Sequence, residues 1–342
     1  MNKLTKVGVT ALCGSLATVV SAQAGTLAVT GGSTMSWISK ENAVTGTPLG
    51  MATGLTFSGS GELDNGTTFT TTIGYTHKAA YTGSSVAATI PGLGTLTYDE
   101  GGGTGLDRYD DVMPTAWEEA DGTGLGVGLQ TVAGAGGNQD IEWALDAGIL
   151  PEGMSAYISY APRVSNPKNS NKSGSGDQGG NDTGDGWDLA LKHTGLMDGL
   201  AVYAGISTIE QKNVAVTTVG GDKTEWMAGA TYAIGSVTLG YQHSVSKLNT
   251  NVSGNVSLYE NDAYAVSFNV NDDLSLSYGI HKSDQTSFGS TSTEMEVKSL
   301  QMSYTAGGAT ITIAESDVDN ALYSSATTND RGATTIQLSL AF

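Results

Sequence analysis

The last nine residues, Thr334 to Phe342, read Thr-Thr-Ile-Gln-Leu-Ser-Leu-Ala-Phe, so Ile336, Leu338, Leu340 and Phe342 fall on one side of an extended chain. Thr335, Gln337, Ser339 and Ala341 fall on the other. The end of a soluble domain is ordinarily frayed and polar. A terminal strand with one apolar side, one polar side and a closing aromatic instead suits a barrel that stands in lipid around a watery lumen. Ile336, Leu338, Leu340 and Phe342 are therefore expected to serve as the signal that barrel-assembly machinery reads.

The other end supports this reading. Lys3 and Lys6 precede an apolar run from Val7 to Val20, and Ala22-Gln23-Ala24 supplies the small residues of a cleavage site. Residues 1–24 are expected to be a signal peptide and residues 25–342 the barrel. Thr10-Ala11-Leu12 before Cys13 is a poor lipobox, so the single cysteine is expected to leave with the signal. Disulfides and thiolate metal sites are then excluded.

No segment beyond the signal approaches the roughly 20-residue apolar run of a spanning helix. The chain has 48 Gly but 6 Pro, and its apolar residues come in short, half-polar stretches. In lipid such a chain has to close its sheet, because every backbone N–H and C=O needs a partner. A soluble β-sandwich or β-solenoid exported by the same signal does not account for Phe342.

Turn signals recur along the chain, the last four of them about every 35 to 37 residues: Asp64-Asn65-Gly66, Pro91-Gly92-Leu93-Gly94, Leu150-Pro151-Glu152-Gly153, Leu196-Met197-Asp198-Gly199, Ala233-Ile234-Gly235-Ser236, Asn271-Asp272-Asp273-Leu274 and Ala306-Gly307-Gly308-Ala309. Each lies between two alternating segments; Tyr264, Val266, Phe268 and Val270 precede one of them, and Leu274, Leu276, Tyr278 and Ile280 follow it. Seven such turns, with a lone first and last strand, predict an all-β, transmembrane antiparallel barrel of about 16 strands. Longer polar stretches connect the opposite ends, which places the long loops outside the cell and both termini in the periplasm.

Acids outnumber bases 34 to 15, a formal net charge of −19. Nucleic acid is excluded as a partner, because it needs basic patches. Inside a narrow pore, fixed carboxylates beside low-dielectric walls attract cations.

The hairpin rhythm fails once, between residues 99 and 138. This segment holds Asp99, Glu100, Asp107, Arg108, Asp110, Asp111, Glu118 and Glu119, and Leu106, Tyr109, Val112, Met113, Ala116 and Trp117 to anchor it. Unusually long loops of this kind are functional or disordered, and these apolar anchors favour order.

Signal peptide, strand count, aromatic C-terminal strand and one oversized acidic third loop together resemble the general, trimeric, 16-stranded porins of Gram-negative outer membranes, closest to the alphaproteobacterial type. The resemblance implies a homotrimer in outer-membrane lipid and lipopolysaccharide that passes small hydrophilic solutes. It also implies that the third loop folds into the lumen, with Asp99, Glu100, Asp107, Arg108, Asp110, Asp111, Glu118 and Glu119 in or near the constriction. The family commonly sets basic residues opposite that loop. Here the first four strands offer only Lys40, Lys78 and His77, and Lys192 shares parity with Asp188 and Ala190 on a later strand. A net negative, cation-preferring eyelet is expected, with Lys40, Lys78 and Lys192 as candidate lumen-wall cations.

Other chemistry finds little footing. His243 and Ser244 are sequence neighbours, so a strand points them to opposite faces, and no nucleophile elbow, zinc-protease signature or phosphate loop occurs. No enzyme activity and no cofactor are expected. Asn181-Asp182-Thr183-Gly184-Asp185-Gly186 lacks the spacing and the bidentate Glu of a calcium loop. Asp110 and Asp111 with Glu118 and Glu119 are the candidate ligands for a divalent ion such as Ca²⁺. Two readings stand beside the passive channel: a substrate-specific nutrient channel, and a structural or adhesive surface barrel plugged by its third loop.

Overall fold

The computed structural model describes residues 26–42, 46–77, 80–100, 102–164, 183–211 and 219–342. The expected signal segment 1–24, Lys78, Asn181 and Asp182 lie outside them. Sixteen strands follow in order: β1 (Thr26–Glu41), β2 (Leu49–Glu62), β3 (Thr68–Thr76), β4 (Ala80–Ile90), β5 (Gly94–Asp99), β6 (Asp140–Leu145), β7 (Met154–Ala161), β8 (Gly186–His193), β9 (Leu200–Ile209), β10 (Lys223–Ile234), β11 (Val237–Lys247), β12 (Val256–Asn269), β13 (Leu274–Ser287), β14 (Ser292–Ala306), β15 (Ala309–Asp319) and β16 (Arg331–Ala341).

Each strand pairs with its sequence neighbour, and antiparallel pairing of β1 with β16 closes the sheet into a barrel. The seam continues to the last residue, where Gly31 and Phe342 exchange backbone hydrogen bonds of 3.0 and 2.9 Å. Closure leaves no edge to be satisfied by solvent, the condition a lipid environment imposes. Among the described residues no helix is long and apolar enough to cross a membrane; a barrel crosses with its strands.

The alternation read from the sequence separates two surfaces. Outward lie exposed large apolar side chains, including Leu27, Phe57, Trp143, Ile206, Tyr278 and Ile336. Inward lie small and polar ones, such as Ser159, Asp188, Ser277 and Thr335, all buried. Strand pairing also runs past the apolar alternation, since β13 extends through His281-Lys282-Ser283-Asp284-Gln285 and stays paired to β12 and β14. Ladder hydrogen bonds come from the backbone and do not require apolar side chains.

The packed core is not between two sheets. It forms where the segment between β5 and β6 folds back against the inner wall.

Candidate functional site

The β5–β6 loop enters on a single 3₁₀ turn, Asp107–Tyr109. Leu106, Tyr109, Met113 and Val132 then pack on Ala190 of β8, Tyr203 of β9, Met227 of β10 and Ala263 of β12. Further along, Ala120, Leu125 and Val127 pack on Met295 and Val297 of β14, Val318 of β15 and Ala333 of β16. The loop thus lines the lumenal side of the second half of the barrel. Fully burying a side chain such as Leu106 contributes about 1.5–3 kcal/mol, and small wall residues such as Ala190 and Ala263 leave the room for it.

Wall carboxylates complete the attachment. Asp188 is fully buried on β8 and accepts the backbone N–H groups of Leu106, Ala135 and Gly136, each at 2.9 Å. Glu142 on β6 accepts from the Gly105 N–H at 2.7 Å and pairs with Arg108. Glu225 on β10 accepts from the Gly134 N–H at 2.8 Å, while Lys223 stands 2.9 Å from its other oxygen. Thr104 donates its hydroxyl to Asp140 of β6 at 2.7 Å. Hydrogen bonds to ionised acceptors are about twice as strong as neutral ones. The loop ends must come this close without side chains of their own: a Cβ on Gly105 or Gly134 would clash with Asp188 Oδ2, and both glycines have positive φ, +51° and +62°.

The middle of the loop is held by neutral groups. Ser277 Oγ accepts from the Ala116 N–H at 2.8 Å, and Gln301 Oε1 accepts from the Trp117 and Glu118 N–H groups at 3.1 and 3.2 Å. Gln301 Nε2 donates back to the Glu118 carbonyl at 2.7 Å.

The eight loop residues singled out from the sequence separate into distinct environments. Asp99 and Asp107 accept from the backbone N–H groups of Gly102 and Gly103, both at 2.7 Å, and so shape the loop entrance. Glu100 is buried among donors: the Tyr81, Ser84 and Tyr98 hydroxyls and Gln139 Nε2. Burial opposes its charge, but these four hydrogen bonds outweigh it and hold its carboxyl below the usual range. Arg108 lies 3.6 Å over the Tyr157 ring and pairs with Glu142, so its charge is taken up on the β6–β7 wall.

Asp111 and Glu118 are exposed in the lumen, whereas Asp110 is half-buried and Glu119 buried. Burial, then the neighbouring carboxylates, pushes all four up, Asp110 to about 7. For Glu119, pushed up to about 8, burial outweighs the hydrogen bond from the Met113 N–H at 2.7 Å. No three of the four carboxylates considered for a divalent ion have ligand atoms within reach of one another among the described residues. Among the described residues, the one cluster with ligand atoms mutually within reach joins Glu119 to Asp121 and to His281 of β13.

Across the lumen from Trp117 and Glu118 stand Thr30 and Thr34 of β1, Ala52 and Thr56 of β2, Thr76 of β3 and Thr82 of β4, around an open cavity of about 420 Å³. No basic side chain lines that gap among the described residues. Lys40 lies at the loop end of β1 and Lys192 near the tight-turn end of β8, both on the lumenal parity. His243 stacks on Trp226 and stands 3.1 Å from Asp262, while Ser244 accepts from Asn261 Nδ2 at 3.1 Å. The two neighbours therefore do face opposite ways.

The raised Asp110 has a pH consequence. Its folded-state value of about 7 exceeds its ordinary 3.8. Its contribution to loop docking is thus fully present below about pH 4 and is lost as pH rises through about 7. Backbone amide exchange across residues 102–137 is expected to slow on going from pH 8 to pH 5, after correction for intrinsic rates. Asp110→Asn should reduce that dependence, the raised Asp111, Glu118 and Glu119 supplying the remainder; an unchanged pH profile in the variant would place the titration elsewhere.

No protein-family model matches the sequence, and no curated protein does either. Solved structures do match. OmpF of Salmonella typhi in complex with daunomycin superposes with a TM-score of 0.69 at 12% identity, covering 93% of this chain and 98% of that one. OmpT of Vibrio cholerae in its trimer form gives 0.65 at 14% identity, covering 93% and 100%. A mutant porin of Rh. blastica gives 0.58 at 14% identity, covering 92% and 100%. The chain therefore has the closed 16-stranded barrel fold of the general porins.

Proposed function

We propose that this barrel is a passive diffusion channel of a Gram-negative outer membrane, admitting small hydrophilic solutes and ions with a preference for cations. The observation that carries the reading is the open gap between the loop segment Trp117-Glu118 and the Thr-rich, base-free wall of β1 to β4. Its volume exceeds by more than tenfold the roughly 10–15 Å³ that one water needs, which favours a channel over a plugged surface barrel. The lumenal loop sets the width, and the exposed Asp111 and Glu118 set the sign of the field. Solutes pass by sieving, with cations partly dehydrated against carboxylates that hold them weakly. No reaction is part of the proposal.

The same reading includes a homotrimer, which the trimer form of the similar Vibrio cholerae protein supports. It also includes contact of the exposed apolar belt with lipid and lipopolysaccharide, long loops facing outward and termini in the periplasm. Ile336, Leu340 and Phe342 are exposed on that belt, as an assembly signal at the closing strand requires.

The test is the zero-current potential of the refolded protein in a planar bilayer under a tenfold KCl gradient. The expected potential has the cation-selective sign and lies between zero and the ideal limit of about 59 mV. A zero or anion-selective value would remove the acidic eyelet from the proposal, and absence of current would remove the channel.

A further inference from the structure

His281 is the most buried histidine on the inner wall, 3% exposed, and its Nδ1 has no hydrogen-bond partner. A buried ring nitrogen left unpaired is destabilising, so its retention there needs a cause. It is aimed at two loop carboxylates. Asp121 Oδ1 stands 3.9 Å from Nδ1, beyond hydrogen-bond reach, and one oxygen of Glu119 completes a triangle whose corners all lie within 4.8 Å. Glu119 is oriented by the Met113 N–H, which it accepts on Oε1 at 2.7 Å. A small void of about 10 Å³ lies against Glu119 and His281, walled by Ala120, Ala263, Gly279 and Gln301.

We propose that His281, Glu119 and Asp121 form a three-ligand site for a borderline divalent metal ion such as Zn²⁺. An imidazole with two carboxylates suits such an ion, whereas Ca²⁺ and Mg²⁺ take oxygen ligands alone. A tetrahedral ion with bonds of about 2.0–2.1 Å holds its ligands roughly 3.3 Å apart. The two loop carboxylates then have to close on the imidazole by about an ångström, a movement within reach of rotamer changes in side chains carried by a loop. His281 belongs to the rigid ladder of β12, β13 and β14. The bound ion would therefore tie the centre of the lumenal loop to the barrel wall, beside the segment that borders the gap. The void is at the lower end of the roughly 10–15 Å³ that one water needs as a fourth ligand.

The test is calorimetric titration of ZnCl₂ into tag-free refolded protein at pH 7.5 and 150 mM salt, with CaCl₂ titrated in parallel. One Zn²⁺ per chain is expected, and His281→Ala should weaken it at least tenfold. Asp121→Asn should weaken it too, while His243→Ala on the outer face should leave it unchanged. Far-ultraviolet circular dichroism and heat-modifiable gel mobility establish that each variant is a folded barrel, and Asp121→Asn, a change of almost no volume in the loop and outside the strands, keeps the test valid should His281→Ala fail to fold. Absence of saturable Zn²⁺ binding, or binding that neither variant weakens, would overturn the site. So would Ca²⁺ binding more tightly than Zn²⁺. Because the readout is binding and not current, the result is independent of whether the barrel conducts.

Discussion

Asp188→Ala is expected to release the lumenal loop while leaving the barrel closed. The carboxylate accepts three backbone N–H groups, from Leu106, Ala135 and Gly136, at both ends of the loop. Removing it strands three buried donors, at about 1–3 kcal/mol each, so docking weakens by about 3–9 kcal/mol. The ladder of β8 with β7 and β9 is made of backbone groups and does not depend on that side chain. Single-channel recordings should show larger and noisier conductance, and limited proteolysis should cut within residues 102–137 of the variant but not of the parent protein. Asp188→Asn, which retains one acceptor oxygen, should fall between the two. A quiet channel of unchanged conductance in Asp188→Ala would show that the apolar contacts of Leu106, Tyr109, Met113 and Val132 hold the loop unaided.

The second large effect concerns sign and not width. Asp111 and Glu118 are the loop carboxylates exposed in the lumen. Glu118 borders the gap, and no base faces it. A unit charge about 4 Å from a permeating ion contributes about 1 kcal/mol in bulk water and about 4 kcal/mol at an effective dielectric of 20. Asp111→Asn with Glu118→Gln changes almost no volume, so conductance in concentrated salt should stay close to that of the parent. The permeability ratio of K⁺ to Cl⁻ should fall about fivefold or more, on the conversion of 1.4 kcal/mol to a factor of ten. An unchanged ratio would assign the selectivity to the outer loops. Glu100→Gln is the matched control, since Glu100 is buried among Tyr81, Ser84, Tyr98 and Gln139, away from the gap.

Both variants separate what was legible in the chain from what was not. The strands were legible because lipid and water act on opposite faces of one sheet, which forces a period of two wherever the chain crosses. The lumenal loop was legible because its length breaks that rhythm, and its anchors because Leu106, Tyr109, Met113 and Ala116 are apolar in an otherwise polar stretch; all four are buried. The fate of its carboxylates was not. Glu118 and Glu119 are identical in type and adjacent, yet one is exposed to the lumen and the other buried beneath the loop.

The residues that hold the loop were hidden for the same reason. Asp140, Glu142, Asp188 and Glu225 are acids on the polar parity of β6, β8 and β10, and nothing nearby in sequence marks them as partners of Thr104, Gly105, Leu106 or Gly134. Their inward parity is the one signal that pointed to them. His281 meets Glu119 and Asp121 only after the barrel has closed and β13 has turned its inner face to the loop.

The sequence by itself determined the barrel, its strand order and its one exceptional loop, because alternation and loop length are local properties that lipid and backbone hydrogen bonding convert directly into architecture. The tertiary structure alone decided which acids anchor, which face the pore and which converge on a histidine. Those assignments depend on the register of strands far apart in the chain and on desolvation inside the lumen, and both come into existence only when the sheet closes on itself.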